Sequence, residues 1–378
     1  MGRMCHSVGC KRDFCIRAFP SLCFDKRWRG NFVNGFNNRS GRAFRTSPSN
    51  RGSFLHFVSE LQVFQSLTQI AMEVLAKIVY SGFTFFLEDI LNNIITAICN
   101  LVENPKIKLI RQGDSTNRAN SMGDALEEYI KDVFAGTVDY EEGQARAVAL
   151  SSTFSYLGNK TNPPDSMLRG GNAGDAIEVK KIENQTANLA LNSSYPKCKL
   201  YADSQMISKA CRECEQWTVR DMIYAVGVVK GDYLKSLAFV YGEDYCAEKE
   251  TYERIKTKIK EGVETIDGIE FTKTKELGHI NKVDPLGITY LRVRGMWGIE
   301  NPFKVFNYVY EPNFSNAFNF MCIINDTKFN SFENISELYE LARNNTKLEI
   351  RNVRIKNPSN PAELKEAKLI TFFVGESR

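Results

Sequence analysis

Apolar residues recur along this chain with two periods, one typical of helices and one typical of strands. Residues 123–134 follow helical spacing, which predicts a helix with one buried face. Apolar runs at 222–229 and 236–241 predict central strands, and further helices are expected near 203–217 and 247–261. The predicted buried face comprises Ala125, Leu126, Tyr129, Ile130, Val133 and Phe134. These elements predict an α/β fold with a mixed central sheet flanked by helices.

The segment 176–180 alternates strictly between apolar and charged residues. In a strand, Ile177 and Val179 would face one side and Glu178 and Lys180 the other. The preceding residues 169–174 are rich in turn formers, so the chain is predicted to fold back and place Asp165 beside this strand.

Asp165, Glu178 and Lys180 then form the residue set of a PD-(D/E)xK nuclease site. Two carboxylates can bind a hard cation such as Mg²⁺, and a lysine can handle charge on phosphate or water. The spacing alone is weak support, because an exposed hairpin with solvated charges gives the same pattern. Asp175 is a rival for the first carboxylate, although it would lie on the opposite face of the strand from Glu178.

Longer blocks of the chain resemble the NgoPII-type type II restriction endonucleases. The resemblance begins near Leu87 and continues in the same order to at least Tyr310. Its blocks lie at 117–134, 154–168, 174–183, 190–200, 222–229, 240–247 and 275–303. Several ordered blocks of this length are far more specific than the three-residue motif.

The resemblance implies a homodimeric PD-(D/E)xK enzyme that cuts both strands of double-stranded DNA at GGCC with Mg²⁺. It implies that Asp165 and Glu178 bind the metal and that Lys180 acts in catalysis. Glu127 is a candidate supplementary ligand, with a surface helix charge as an equal alternative. A cognate DNA methyltransferase and a cytoplasmic location are expected. A structure-selective or repair nuclease of the same fold, or a non-catalytic DNA-binding protein, remains the alternative.

Candidate DNA-binding residues lie in three segments. Arg292 and Arg294 would share one face of a strand, from which they could donate to guanine; a salt-bridged surface strand gives the same pattern. Two polar loops are candidates for phosphate or base contacts, or are caps and turns. These loops contribute Asn192, Ser193 and Ser194, and Arg118.

The N-terminal region differs from the rest in charge. The sequence has a net charge of +4, yet residues 1–59 hold eleven Lys and Arg against Asp13 and Asp25. We expect residues 1–85 to be a basic extension, either disordered or translated from upstream of the true start, with a DNA-binding arm as the alternative. Residues 86–378 are then the catalytic and DNA-recognition domain.

Other catalytic chemistries find little support. The sequence has ten cysteines and three histidines without a zinc-finger spacing or a phosphate-binding loop. Cys211 and Cys214 are expected to pack in the core; a zinc site with Cys198 or Cys246 is the weaker alternative. His279 is expected to be structural or to contact the DNA backbone.

Overall fold

The structure is a computed structural model that describes residues 92–109 and 118–376. The predicted basic extension, residues 1–85, and its boundary lie outside the described residues and stay predictions. No helix within the described residues is long and apolar enough to cross a membrane.

Helices flank the sheet and join its strands. They are α1 (Ile94–Glu103), α2 (Arg118–Ala135), α3 (Gln144–Thr153), α4 (Lys209–Glu213), α5 (Gly242–Tyr245), α6 (Lys249–Glu264), α7 (Pro302–Val305), α8 (Asp326–Phe329) and α9 (Ile335–Asn344), with a 3-10 turn at Gly171–Ala173. The predicted apolar face of α2 is confirmed, because all six of its residues are buried. The charged helix expected near 247–261 is α6.

The strands form one large mixed sheet and two small ones. They are β1 (Phe154–Tyr156), β2 (Ser166–Leu168), β3 (Ala176–Ile182), β4 (Leu189–Asn192), β5 (Lys199–Tyr201), β6 (Val219–Lys230), β7 (Tyr233–Tyr241), β8 (Glu270–Lys273), β9 (Gly278–Asn281), β10 (Leu291–Val293), β11 (Trp297–Ile299), β12 (Asn316–Asn325), β13 (Leu348–Asn357) and β14 (Asn360–Glu376). The predicted strands at 222–229 and 236–241 correspond to β6 and β7.

The large sheet has the strand order β1-β2-β3-β6-β7-β12-β14-β13, and β5 pairs with the beginning of β6. Strand β3 is parallel to β6, and β7 is parallel to β12, whereas the other neighbours are antiparallel. The predicted α/β fold with a mixed sheet is therefore confirmed. The small sheets are β10-β9-β8 and β11-β4.

The edge of β3 explains where the site forms. Strand β2 pairs only with the beginning of β3, through Ser166 opposite Ile177 and Met167 opposite Ala176. Within the described chain, the rest of β3 has β6 on one side and no strand on the other. The hairpin predicted between Asp165 and the strand is present, and the functional groups of β3 lie beside this open edge.

The helix expected near 203–217 is wrong in its extent, because only Lys209–Glu213 is helical. Ser208 caps the helix by accepting from the N–H of Cys211, which fixes its beginning. The Arg212 guanidinium donates to the carbonyls of Ala202 and Ser204, and these bonds stabilise the preceding residues as turns. Cys211 is fully buried, and Cys214 is half-buried against the same core, close to what the sequence indicated.

Candidate active site

Asp165, Glu178 and Lys180 come together at the open edge of β3. The Lys180 Nζ donates to Glu178 Oε1 at 2.6 Å and to the Val179 carbonyl at 3.1 Å, and lies 4.0 Å from Asp165 Oδ2. The backbone N–H of Val179 donates to Asp165 Oδ2 at 2.7 Å. Asp165 is thus fastened to the strand that carries the other two side chains.

The protonation of this cluster reflects burial and crowding of like charges. Burial and the neighbouring Glu178 carboxylate raise the pKa of Asp165 well above its usual value, although Lys180 opposes them. For Lys180, burial favours the neutral amine, but Glu178 and Asp165 outweigh it and raise the pKa of the ammonium. Lys180 is therefore a cation at neutral pH in this arrangement.

One oxygen of Glu178 has no partner. Glu178 Oε2 is buried and accepts no hydrogen bond, whereas Oε1 accepts from Lys180. A buried carboxylate oxygen without a partner costs free energy, and a bound cation would remove that cost. The orphaned oxygen beside a second buried carboxylate fits a divalent cation with oxygen ligands.

The protein itself supplies few ligands for such a cation. Among the described residues, no three His, Cys, Asp or Glu side chains come together as a metal-binding group. Asp165 and Glu178 would therefore be the principal protein ligands. That set suits Mg²⁺, which commonly binds through one or two carboxylates together with substrate phosphate and water.

Glu127 in α2 lies near the cluster without forming a hydrogen bond to it. Burial raises its pKa, Lys131 and Lys180 lower it, and Asp124 and Glu178 add to the increase. The charges of Lys180 and Glu178 thus both influence the pKa of Glu127. Its role as a supplementary ligand stays a prediction.

Gly158 packs closely against the backbone of Asp165. Its φ is +86°, a conformation that favours glycine, and a Cβ built there would collide with the backbone carbonyl of Asp165. No local pattern marks this glycine as part of the site, because its contact with Asp165 depends on how the loop before β2 folds.

Asp175 occupies a different environment from the carboxylates of the cluster. It is buried before β3, accepts a 2.7 Å hydrogen bond from the Tyr241 hydroxyl and pairs with Lys328 at 3.1 Å. Burial raises its pKa, with Lys328 and Tyr241 opposing that increase. The structure thus places the rival carboxylate in a separate network, apart from Glu178 and Lys180.

Arg292 and Arg294 both pair with Glu276, a residue that the sequence analysis did not name. Their guanidinium groups lie 3.2 and 2.9 Å from the Glu276 carboxylate, which also accepts from Ser193 Oγ at 3.0 Å. Burial opposes ionisation of Glu276, but hydrogen bonds from Ser193 and Arg294 and the charge of Arg292 lower its pKa. Both arginine side chains remain about half exposed and both pair with Glu276, as the salt-bridged alternative expects, and their contact with a DNA groove stays a prediction.

The neighbouring polar loop follows β4 and contacts both the arginine pair and Lys197. Asn192, the last residue of β4, has a φ of +51° and begins the turn. It pairs with Trp297 of β11. Ser193 Oγ donates to Glu276 and accepts from Arg294, whereas Ser194 Oγ accepts from Lys197 Nζ, so the two successive serines have different partners.

Arg118, His279 and four cysteines are the remaining residues that the sequence analysis named. Arg118 begins α2, but its side chain lies outside the described residues, so its DNA contact stays a prediction. His279 lies in β9 with its ring 6.0 Å from that of Tyr290. Cys198, Cys211, Cys214 and Cys246 are free thiols, and the described residues contain no metal-binding cluster that would use them.

Comparisons with known proteins agree with this geometry. The sequence profile of a family described as NgoPII restriction endonuclease matches residues 92–356. A type II restriction enzyme NgoPII from Neisseria gonorrhoeae is 57% identical over 281 residues, which cover 74% of this chain and 99% of that protein. No solved structure gave a significant match. The aligned part of the chain contains every residue of the candidate site.

Proposed function

The chain belongs to the NgoPII restriction endonuclease family, and from this premise we propose that it is a type II restriction endonuclease. It would make Mg²⁺-dependent double-strand cuts at a short palindrome, GGCC, by hydrolysis of phosphodiester bonds. The observation that carries the proposal is the juxtaposition of Asp165, Glu178 and Lys180 around an orphaned carboxylate oxygen.

The residues of the cluster have distinct tasks in this mechanism. Asp165 and Glu178 would hold the cation, and the Val179 N–H keeps Asp165 oriented toward it. When bound, Mg²⁺ would polarise the scissile phosphodiester and lower the pKa of a water molecule. Lys180, a cation by virtue of its raised pKa, orients the attacking water or stabilises the negative charge that develops on the phosphate.

Sequence recognition would come from the arginine pair. Arg292 and Arg294 can each donate two hydrogen bonds to O6 and N7 of guanine, the base contact to which arginine is best suited. Glu276 holds the two guanidinium groups side by side and is itself an acceptor of the kind that cytosine N4 requires. A palindromic site fits a homodimer with two-fold symmetry in which each subunit cuts one strand.

A cell that contains this activity needs protection of its own DNA. We therefore expect a DNA methyltransferase of the same specificity as its functional partner.

The test is digestion of a sequenced plasmid with and without Mg²⁺, followed by sequencing of the ends. Lys180→Ala is compared with Lys181→Ala, because Lys181 is the next residue and pairs with the exposed Glu183 instead. We expect discrete fragments that end at one palindrome for the wild type and for Lys181→Ala, and none for Lys180→Ala. Random nicking would contradict a site-specific enzyme and favour a structure-selective nuclease, whereas cleavage that survives in Lys180→Ala would contradict the assigned catalytic lysine.

A further inference from the structure

Lys197 is a buried cation without a carboxylate partner. Its side chain is only 7% exposed, and its ammonium donates to Ser194 Oγ and lies 5.2 Å from the centre of the Tyr195 ring. Within residues 92–109 and 118–376, no carboxylate oxygen comes within 4.0 Å of it. Burial of an unpaired ammonium is costly unless an anion compensates for it.

The other buried cations of the described chain all have such compensation. Lys131 pairs with Glu128, Arg146 with Asp132, and Arg220 with Glu215. Lys197 differs from them because the described residues provide no carboxylate as its counter-charge, which is the respect that would matter for a ligand. Burial lowers its pKa to about 8, against the opposing influence of Glu178.

A basic cavity begins at Lys197. Its volume is about 350 Å³, and five lysines line it against three carboxylates. Lys199 is already paired with Asp221 and Glu243, and Lys256 lies 3.9 Å from Glu253. Lys249 lies 4.2 Å from the centre of the Tyr201 ring, and no carboxylate of the described residues pairs with it. The cavity therefore has positive charge to spare for an anion.

The position of the cavity relates it to the cleavage site. The backbone N–H of Lys197 donates to the Tyr224 hydroxyl at 2.7 Å, and Tyr224 of β6 is the register partner of Glu178 in β3, which relates the lysine to the cluster of Asp165, Glu178 and Lys180. On the other side, the loop that contains Ser193 and Ser194 joins Lys197 to the arginine pair. A nucleic acid strand that contacts both regions would pass this cavity.

We propose that Lys197 and its cavity bind a non-scissile phosphate of the DNA backbone close to the cleaved bond. The inference rests on the proposed function, because it assumes that DNA is the substrate. The phosphate supplies the anion that the buried ammonium lacks, and the contact fixes the register of the strand relative to Asp165 and Glu178. Lys197 is thus a substrate-positioning residue outside the motif of three catalytic residues.

The experiment measures binding without cleavage, so that it does not depend on the metal. The full chain binds a fluorescent duplex with one GGCC site in EDTA, over a series of NaCl concentrations. Each phosphate contact contributes about 0.9 to the slope of log K against log salt. We expect Lys197→Met to lose about one such contact, while Lys258→Met, an exposed lysine in α6 that pairs with Glu261, keeps the wild-type slope.

A second measurement identifies the phosphate. In a series of duplexes, each carries one uncharged methylphosphonate at a defined position. We expect one non-scissile position at which the substitution weakens binding by the wild type several-fold and leaves Lys197→Met unchanged. Equal losses at every position for both proteins would overturn the proposal, as would an unchanged salt slope in a folded Lys197→Met protein.

A second variant and a phosphate-binding measurement complete the experiment. If Lys197→Met fails to fold, Lys249→Met tests the same cavity from its rim, and an unchanged slope there overturns the proposal. Inorganic phosphate alone is added to the wild type and to Lys197→Met during thermal unfolding. Stabilisation that requires Lys197, with an unchanged DNA salt slope, would assign the cavity to free phosphate and reject the DNA backbone. Plasmid cleavage by the wild type in the same preparation shows separately whether the proposed function holds.

Discussion

The large sheet contains two buried groups of charges that differ in whether their hydrogen bonds are complete. The first is the candidate catalytic cluster of Asp165, Glu178 and Lys180. The second is a charge network at the edge where β3 and β6 begin. Its members are Asp175, Asp221, Lys199, Lys328, Glu243, Asp244 and Lys365.

Every carboxylate oxygen of the three aspartates in the network has a partner. Asp175 accepts from Tyr241 and Lys328, and Asp221 from Lys199 and Lys328. Both oxygens of Asp244 likewise accept hydrogen bonds, from the Asn325 side chain and backbone and from Lys365. A network completed in this way joins β3, β6, β7, β12 and β14 and requires no ligand.

The catalytic cluster is left incomplete by comparison. Two acidic side chains share one lysine, Glu178 Oε2 accepts nothing, and the pKa of Asp165 is raised. These unsatisfied and like-charged groups destabilise the fold at the place where a cation and a phosphate would be bound. The two groups have similar composition, and what separates them is the carboxylate oxygen of Glu178 that has no partner beside the raised pKa of Asp165.

Replacement of Asp165 by asparagine should produce the largest effect. If Asp165 is a metal ligand as proposed, its loss removes several kcal/mol of charge stabilisation, so single-turnover cleavage should fall by roughly a thousandfold or more. The same change removes a repelled, buried charge, so the melting temperature should rise by roughly 2 °C or more. Glu183→Gln, at an exposed carboxylate near the same strand, should change neither quantity.

An Asp165→Asn protein that is both less active and less stable would contradict the difference drawn here between the incomplete cluster and the completed network. It would mean that the carboxylate contributes to the fold as the network aspartates do. Calorimetry on the same preparation as the cleavage assay distinguishes the two results.

In the network, Lys328→Met should lower stability and leave the chemistry intact. The change leaves the buried Asp175 without its cation, and breaking a buried pair costs about 3 kcal/mol or more. Urea unfolding measures the loss, and the exposed Lys258→Met should stay within about 0.5 kcal/mol of the wild type. If the folded fraction of Lys328→Met cleaved as slowly as Asp165→Asn, the network would belong to the active site.

Gly158→Ala should disturb the cluster through the backbone. The added Cβ collides with the Asp165 carbonyl, and the φ of +86° is strained for alanine. We expect a loss of about 2 kcal/mol in stability together with slower cleavage, because Asp165 must move away from Val179. Gly231→Ala is the control, since it has a similar φ of +62° but open space around its Cβ. Slower cleavage in both variants would contradict a specific role for Gly158.

The juxtaposition of Asp165, Glu178 and Lys180 was predictable from the sequence because its geometry is local. Strict alternation in β3 fixes the common side of Glu178 and Lys180, and the short hairpin brings Asp165 beside them. The three residues fall within sixteen positions of the chain. The helix α2 was predictable for a similar reason, since its period extends over several turns.

The partners of these residues were not predictable, because they lie far apart in the chain. Lys328 reaches Asp175 across 153 positions, and Glu276 meets Ser193 across 83. Strand β12 pairs with β7 on one side and with β14 on the other, through contacts that no local period specifies. Lysine is usually exposed, so the burial of Lys197 had no signal in its sequence neighbourhood.

The two regions should also respond to pH with opposite sign. The folded pKa of Asp165 lies above its ordinary value near 3.8, so the stability it contributes is present in acid and is lost as pH rises through the folded pKa. Asp165→Asn should therefore gain stability over the wild type as pH rises above about 4, by about 1.4 kcal/mol for each pKa unit. Below pH 4 the two proteins should converge.

Asp221 should show the reverse. Burial opposes its ionisation, but Lys199 and Lys328 outweigh burial and lower its pKa. Its stabilisation is present above the ordinary value near 3.8 and is lost as pH falls through the folded pKa. Asp221→Asn should therefore cost about 1 kcal/mol at neutral pH and progressively less in acid. Urea unfolding of both variants between pH 3 and 7 would measure the two trends, and parallel curves would show that the open cluster and the closed network are not electrostatically different.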